Sequence, residues 1–151
     1  MQVLMTVYRQ RQRLKYRAEQ LFDLVADVER YPEFMPWVIK SRVRERYEQT
    51  VVVDMTVAAG PLRKDFSTTG VLQRPHWIGV TSHDPIFDRF KQEWTFTPAA
   101  DGQTNVEYQH ELQFRSRVLQ LLMDAVFAKQ AVATLSAFKA RAHRLYGRHA
   151  C

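Results

Sequence analysis

The chain has 151 residues, 46% of them hydrophobic and 25% charged, which suits one folded domain with a buried core, and no composition shift, Gly/Ser linker or repeat divides it. No uninterrupted apolar run approaches the roughly 18 residues a membrane span needs, and a lone cysteine, Cys151, excludes an intrachain disulfide and any cysteine-based metal or redox motif. A net charge of +6 favours an RNA or an anionic bilayer surface as partner without choosing between them, and no DNA partner is expected.

The opening MQVLMTVYRQ has neither a secretory nor an organellar leader pattern, so a cytoplasmic location is expected, with peripheral attachment to the inner face of the cytoplasmic membrane left open. From Thr6 to Leu14 the residues alternate, Arg9, Arg11 and Arg13 on one parity and Tyr8 and Leu14 on the other, as in a strand with one wet face. Residues 18–28 carry Leu21, Phe22, Leu24, Val25 and Val28 at helical spacing, with Glu19, Asp23 and Asp27 opposite. Pro32 and Pro36 then prevent one regular helix from continuing.

Period-two patterns follow, predicting strands at 39–48, 50–58, 62–72, 77–83, 89–97 and 104–115, separated by Gly60-Pro61, Pro75, Asp84-Pro85 and Asp101-Gly102. With the first strand they make a meander of seven antiparallel strands. Arg117–Tyr146 contains neither Gly nor Pro and predicts a long helix, with Ser116 as N-cap and Gly147 as stop. Its core stripe is read as Val118, Leu121, Ala125, Ala128, Val132, Leu135, Phe138, Ala142 and Leu145. This order of elements is an α+β arrangement in which a curved sheet packs on the last helix and tends to leave a cavity between them.

The runs AEQLFDLVADVERYPEFMPW, FKQEWTFTP and ELQFRSRVLQLL, in this order, closely resemble the START-like coenzyme Q-binding proteins and the related ribosome-association toxin family, across residues 8–147. The resemblance implies a helix-grip fold, a seven-stranded sheet wrapped around a C-terminal helix, as a single lipid-binding domain over residues 1–151. It also implies a hydrophobic tunnel holding ubiquinone or a similar prenyl lipid as ligand, no other cofactor, and a carrier or chaperone role in respiratory electron transport. Its alternative implication is a ribosome-binding protein that blocks subunit association. The chain departs from the family pattern at Arg17-Ala18, which supplies no side-chain N-cap, at Val38, and at Asp84-Pro85-Ile86-Phe87.

Within that frame, the inward parities of the strands carry Met55, Val57, Phe66, Ile78, Val80, Phe90, Trp94, Phe96, Tyr108, Leu112 and Phe114, and the last helix adds Leu119, Leu122, Met123, Val126 and Phe127. This is the pattern of a ligand cavity and equally of a large ordinary core. Thr68, Gln92 and His110 are the polar residues on these parities; they could donate to quinone carbonyls or be satisfied by backbone and water. The segment 27–37 holds Tyr31, Phe34, Met35 and Trp37 and is expected at the cavity mouth, as a lipid gate touching a bilayer or as an aromatic plug sealing the core.

Arg9, Arg11 and Arg13 on the first strand and Lys40, Arg42, Arg44 and Arg46 on the second form two cationic rows. The resemblance makes these strands neighbours and the rows one ladder for lipid head groups or rRNA phosphates, with Glu107 and Glu111 partly neutralising it. No phosphate loop, metal-spaced cluster or nucleophile motif points to catalysis. The acidic row Glu19, Asp23 and Asp27 reads as a solvated face, and enzymatic chemistry would require His110 to meet a carboxylate in the cavity.

Overall fold

A computed structural model describes residues 6–147; Cys151 lies outside them. In chain order the elements are β1 (Thr6–Leu14), α1 (Ala18–Ala26), a 3-10 helix (Val28–Glu33), β2 (Val38–Tyr47), β3 (Thr50–Ala59) and β4 (Leu62–Gln73). They continue with β5 (Trp77–Thr81), β6 (Phe87–Pro98), a 3-10 turn (Ala100–Gly102), β7 (Thr104–Phe114) and α2 (Arg117–Tyr146). The strands form one antiparallel seven-stranded sheet in the order β1-β7-β6-β5-β4-β3-β2, curved around α2: an α+β helix-grip fold.

Local chemistry sets the boundaries. Ser116 accepts a hydrogen bond from Leu119 N–H and caps α2, and Gly147, at φ 78°, ends it in a conformation that β-carbon-bearing residues avoid. Arg17 offers no acceptor to the first turn of α1; the Gln20 side chain instead accepts from Arg17 N–H at 3.0 Å. Leu21, Phe22, Leu24 and Val25 of α1 are buried, each worth about 1.5–3 kcal/mol of transfer free energy. α1 stops at Ala26, two residues short of its sequence pattern, and the chain tightens into the 3-10 helix through Pro32. β5 ends at Thr81 rather than at 83, because the Ser82 hydroxyl donates to Ser67 C=O at 2.7 Å and Asp84 folds a turn whose Oδ1 accepts from Ile86 N–H.

Two expectations are corrected. β1 and β2 are the opposite edges of the sheet, not neighbours, because β7 takes β1 along its whole length, from Thr6↔Leu112 to Leu14↔Thr104. The outer edge of β2 meets the 3-10 helix instead, where Glu29 Oε2 accepts from Val43 N–H at 3.0 Å. The cationic rows therefore do not merge.

The second correction is the phase of α2, whose expected stripe is buried at Leu135, Phe138 and Ala142 but not at Val118, Leu121, Val132 or Leu145. Its buried face is Gln120, Met123, Phe127, Ala131, Leu135, Phe138 and Ala142, while Val118, Leu121, Leu122, Val132 and Leu145 are exposed. The first half of α2 is apolar on both sides, so periodicity alone cannot choose. Gln120 chooses: its Oε1 accepts from Phe114 N–H at 2.6 Å, turning a polar residue and the face it shares with Met123 and Phe127 toward the sheet.

The core has two ends. Leu135, Phe138 and Ala142 of α2 pack with α1 and with Trp94, Phe96 and Val106, while Met123 and Phe127 pack with Ala59, Phe87, Leu112 and Phe114.

Candidate functional site

Between sheet and α2, bridging the two ends of the core, lies a cavity of about 180 Å³. Strand parity builds its floor: Val51, Val53, Met55 and Val57 of β3, Phe66, Thr68 and Gly70 of β4, Phe90, Gln92 and Trp94 of β6, and Tyr108, His110, Leu112 and Phe114 of β7. α2 supplies Met123, Phe127, Gln130, Thr134 and Phe138 as the roof, and Tyr31, Met35 and Trp37 close one end. No Asp, Glu, Lys or Arg stands in this wall.

Of the sequence candidates, Tyr31, Met35, Trp37, Phe66, Thr68, Phe90, Gln92, Trp94, Tyr108, His110 and Met123 line the cavity. Phe34, Leu122 and Val126 do not. Phe34 stands behind the wall, edge-on to Tyr31 and Phe138 with ring centroids 5.8 and 5.3 Å away. Leu122 points to solvent because of the helix phase, and Val126 packs against the β3–β4 turn at Gly60.

Sequence reasoning missed Gln130 and Thr134, four residues apart on α2. They become legible only when the helix is phased on Phe127 and Phe138, the aromatic pair that faces the sheet.

The polar groups meet at mid-wall. Gln92 Nε2 lies 3.4 Å from both ring nitrogens of His110, and Tyr108 Oη lies 3.2 Å from its Nδ1. The Gln92 amide nitrogen can only donate, so one imidazole nitrogen accepts and the other is left to donate, to Tyr108 or to a ligand. Phe90 and Phe127 hold the ring edge-on at 5.0 and 4.6 Å. Burial in this apolar shell pushes the His110 pKa down to about 3, so the imidazole is neutral, and burial likewise raises the Tyr108 and Tyr31 phenols. The arrangement can offer hydrogen bonds to an uncharged polar group embedded in apolar surface. His110 meets no carboxylate, and among the described residues no group of three His, Cys, Asp or Glu could hold a metal.

The segment around the two prolines is folded as a plug. The Tyr31 hydroxyl donates to Val25 C=O, Met35 N–H donates to Tyr31 C=O at 2.9 Å, and Met35 is buried. Arg141 of α2 pins it from outside: its guanidinium sits 5.2 Å from the Phe34 ring centroid and 3.0 Å from Glu33 Oε1. Tyr31, Phe34 and Trp37 are only partly exposed.

The cationic rows are exposed but differ in pairing. On β1, Arg11 bridges Glu107 at 2.9 Å and Arg13 bonds Asn105, so Glu107 flanks this row as expected, whereas Glu111 pairs with Arg89 of β6 at 2.6 Å. On β2, Arg44 is held by Asp54 at 3.2 Å, and Lys40 and Arg42 are exposed opposite Thr56 and Asp54. A bulge between Val43 and Glu45 corrects the expected row by setting Arg46 opposite Val51, on the other face of the sheet.

The chain matches, over residues 14–139, the family described as polyketide cyclase / dehydrase and lipid transport. It is 33% identical over 134 residues to the ribosome association toxin RatA of Vibrio cholerae serotype O1, covering 89% of this chain and 93% of that one. It is 26% identical over 138 residues to the mitochondrial coenzyme Q-binding protein COQ10 of Dictyostelium discoideum, covering 89% and 67%. Among solved structures, the Zhui aromatase/cyclase from Streptomyces sp. R1128 superposes with a TM-score of 0.82 at 19% identity, covering 93% of this chain and 95% of that one. A START superfamily protein from Mycobacterium smegmatis gives 0.79 at 15%, covering 92% and 98%. At these identities the structural likeness is one of fold. The family match across most of the length, together with the RatA likeness, places the chain in the polyketide cyclase / dehydrase and lipid transport family.

Proposed function

We propose that this protein is a non-enzymatic carrier for a neutral prenyl lipid with a carbonyl-bearing ring, of the ubiquinone type, as the name of its coenzyme Q-binding relative suggests. The observation that carries the reading is the cavity wall: mostly apolar, without a charged side chain, and interrupted by the Gln92–His110–Tyr108 cluster and by Thr68, Gln130 and Thr134. A fatty acid or phospholipid head group would bury its charge there without a partner, at a cost of several kcal/mol. A quinone carbonyl needs only a donor, which Gln92, Thr68 or the protonated nitrogen of neutral His110 supplies.

At about 180 Å³ the cavity is smaller than the 300–1,000 Å³ expected of a small-molecule site, so it fits the ring and the start of the tail while the remaining isoprene units stay outside. Respiratory electron transport would be served by handing this head group between membrane sites.

The test uses Gly70, whose added β-carbon would meet neighbours only at ordinary contact distances of 3.8 and 3.9 Å. Gly70→Leu therefore places a side chain in the cavity without forcing the backbone. Short-tailed ubiquinone should quench Trp37 and Trp94 in the wild type and fail to do so in Gly70→Leu. Equal quenching in both, or none in the wild type, would count against the reading.

A second reading is favoured by the relatives named as ribosome association toxins and by the exposed Lys40 and Arg42 on β2. Binding to rRNA phosphates through these side chains would appear as cosedimentation with a ribosomal subunit that falls steeply with salt and with Lys40→Glu/Arg42→Glu. Salt-insensitive or absent cosedimentation would remove it.

A further inference from the structure

Among the described residues, nothing covers the outer face of α2. Val118, Leu121, Leu122 and Val132 are 68, 67, 58 and 59% exposed, and Ala125 lies among them at helical spacing. They form one stripe opposite the face that packs on the sheet, and an 18-residue window of this helix reaches a mean hydropathy of 1.4 with only 28% of it buried. Met123, Phe127, Leu135 and Phe138 tie the other face into the core, so α2 belongs to the fold and is placed to lie on a surface rather than cross one.

The charges on α2 are nearly all of one sign. Arg117, Lys129, Lys139, Arg141 and Arg144 stand against a single acid, Asp124, which is partly buried on the inner flank beside Gln120. Arg117 and Lys129 are exposed and bracket Val118, Leu121, Leu122 and Ala125, and Arg115 precedes them. An apolar stripe inside a cationic collar matches the interface of an anionic bilayer, with leucines at the acyl boundary and guanidinium and ammonium groups at head-group level. A second copy of the chain, with its net charge of +6, would place like charges opposite this collar.

The same turns of α2 touch the cavity. Leu121 and Leu122 immediately precede Met123 of the wall, and Val126 packs on the β3–β4 turn, whose flanks Ala59 and Leu62 also line the cavity. We propose that the N-terminal half of α2, through Val118, Leu121, Leu122 and Ala125 collared by Arg117 and Lys129, docks on anionic membrane and sets the β3–β4 end of the cavity against it as the lipid's passage. The docking stands on the exposed face alone; the passage rests on the carrier reading above.

Flotation with quinone-free vesicles, phosphatidylcholine alone or mixed with phosphatidylglycerol, tests the docking. Wild type should float with the anionic vesicles. Leu121→Glu/Leu122→Glu should lose about tenfold or more of that binding, and Arg117→Glu/Lys129→Glu should lose the preference for anionic lipid. Short-tailed ubiquinone binding and far-ultraviolet circular dichroism should be unchanged in both variants, since these side chains stand outside the cavity wall.

Undiminished flotation of the leucine variant would overturn the proposal. So would a wild type that does not float and sediments as a dimer, which the same variant converts to monomer. Flotation as expected, together with absent ubiquinone binding in the wild type, would support the docking face and remove the carrier reading.

Discussion

His110 should make the protein selectively acid-labile. Its ordinary pKa of 6.5 falls to about 3 in the folded state through burial. The unfolded chain therefore takes up this proton first as pH falls: stability is complete above about 6.5 and is lost progressively toward 3. At one proton difference the slope is about 1.4 kcal/mol per pH unit, so between pH 7 and pH 5 this residue alone should remove about 2 kcal/mol. The groups facing it are Phe90, Phe127, Gln92 and Tyr108; of these only Tyr108 titrates, and burial keeps it protonated at these pH values.

Urea unfolding of wild type and His110→Gln at both pH values isolates the effect, because the other histidines are common to both proteins. The wild type should lose about 2 kcal/mol more than the variant. Equal losses, or a His110 NMR titration midpoint near 6.5, would refute the claim that the imidazole is buried and neutral.

Two further predictions concern the closure of the cavity ends. Gly60→Ala should cost about 1–2 kcal/mol, because Gly60 sits at φ 56° and an added β-carbon would stand 2.8 Å from Val126 Cγ2. Thermal unfolding should show Val126→Ala recovering part of the loss, whereas no recovery would assign the whole effect to the backbone angle. Arg141→Met keeps the side-chain stem but removes the Glu33 pair and the cation over Phe34, so amide exchange at Met35 should quicken by about threefold or more while β7 amides are unaffected. Unchanged exchange at Met35 would show that the plug is held by packing on Phe138 alone.

Much of the fold was legible because turn chemistry and alternation are local. α2 was bounded correctly by Ser116 and Gly147, since nothing between them breaks a helix, and the meander followed from its Gly, Pro and Asp separators. The phase of α2 was not legible. Leu121 and Leu122 look like core, and a side-chain bond six residues long, from Phe114 N–H to Gln120 Oε1, outweighs that preference in a way hydrophobic periodicity does not register.

The same holds for the two cationic rows, whose separation depends on β7 choosing β1 as partner, a pairing across about ninety residues that no local pattern encodes. The cavity floor was read from parity at Thr68, Gln92 and His110. Its roof at Gln130 and Thr134 was lost with the helix phase.

The central claim, a cavity that selects a neutral prenyl lipid, is tested most directly by mass spectrometry of organic extracts of the protein purified without detergent from a quinone-containing host. A prenylquinone at near-stoichiometric level is expected in the wild type, and its depletion in Gly70→Leu. An extract with no prenyl lipid, or one in which a charged lipid fills the same cavity, would contradict it.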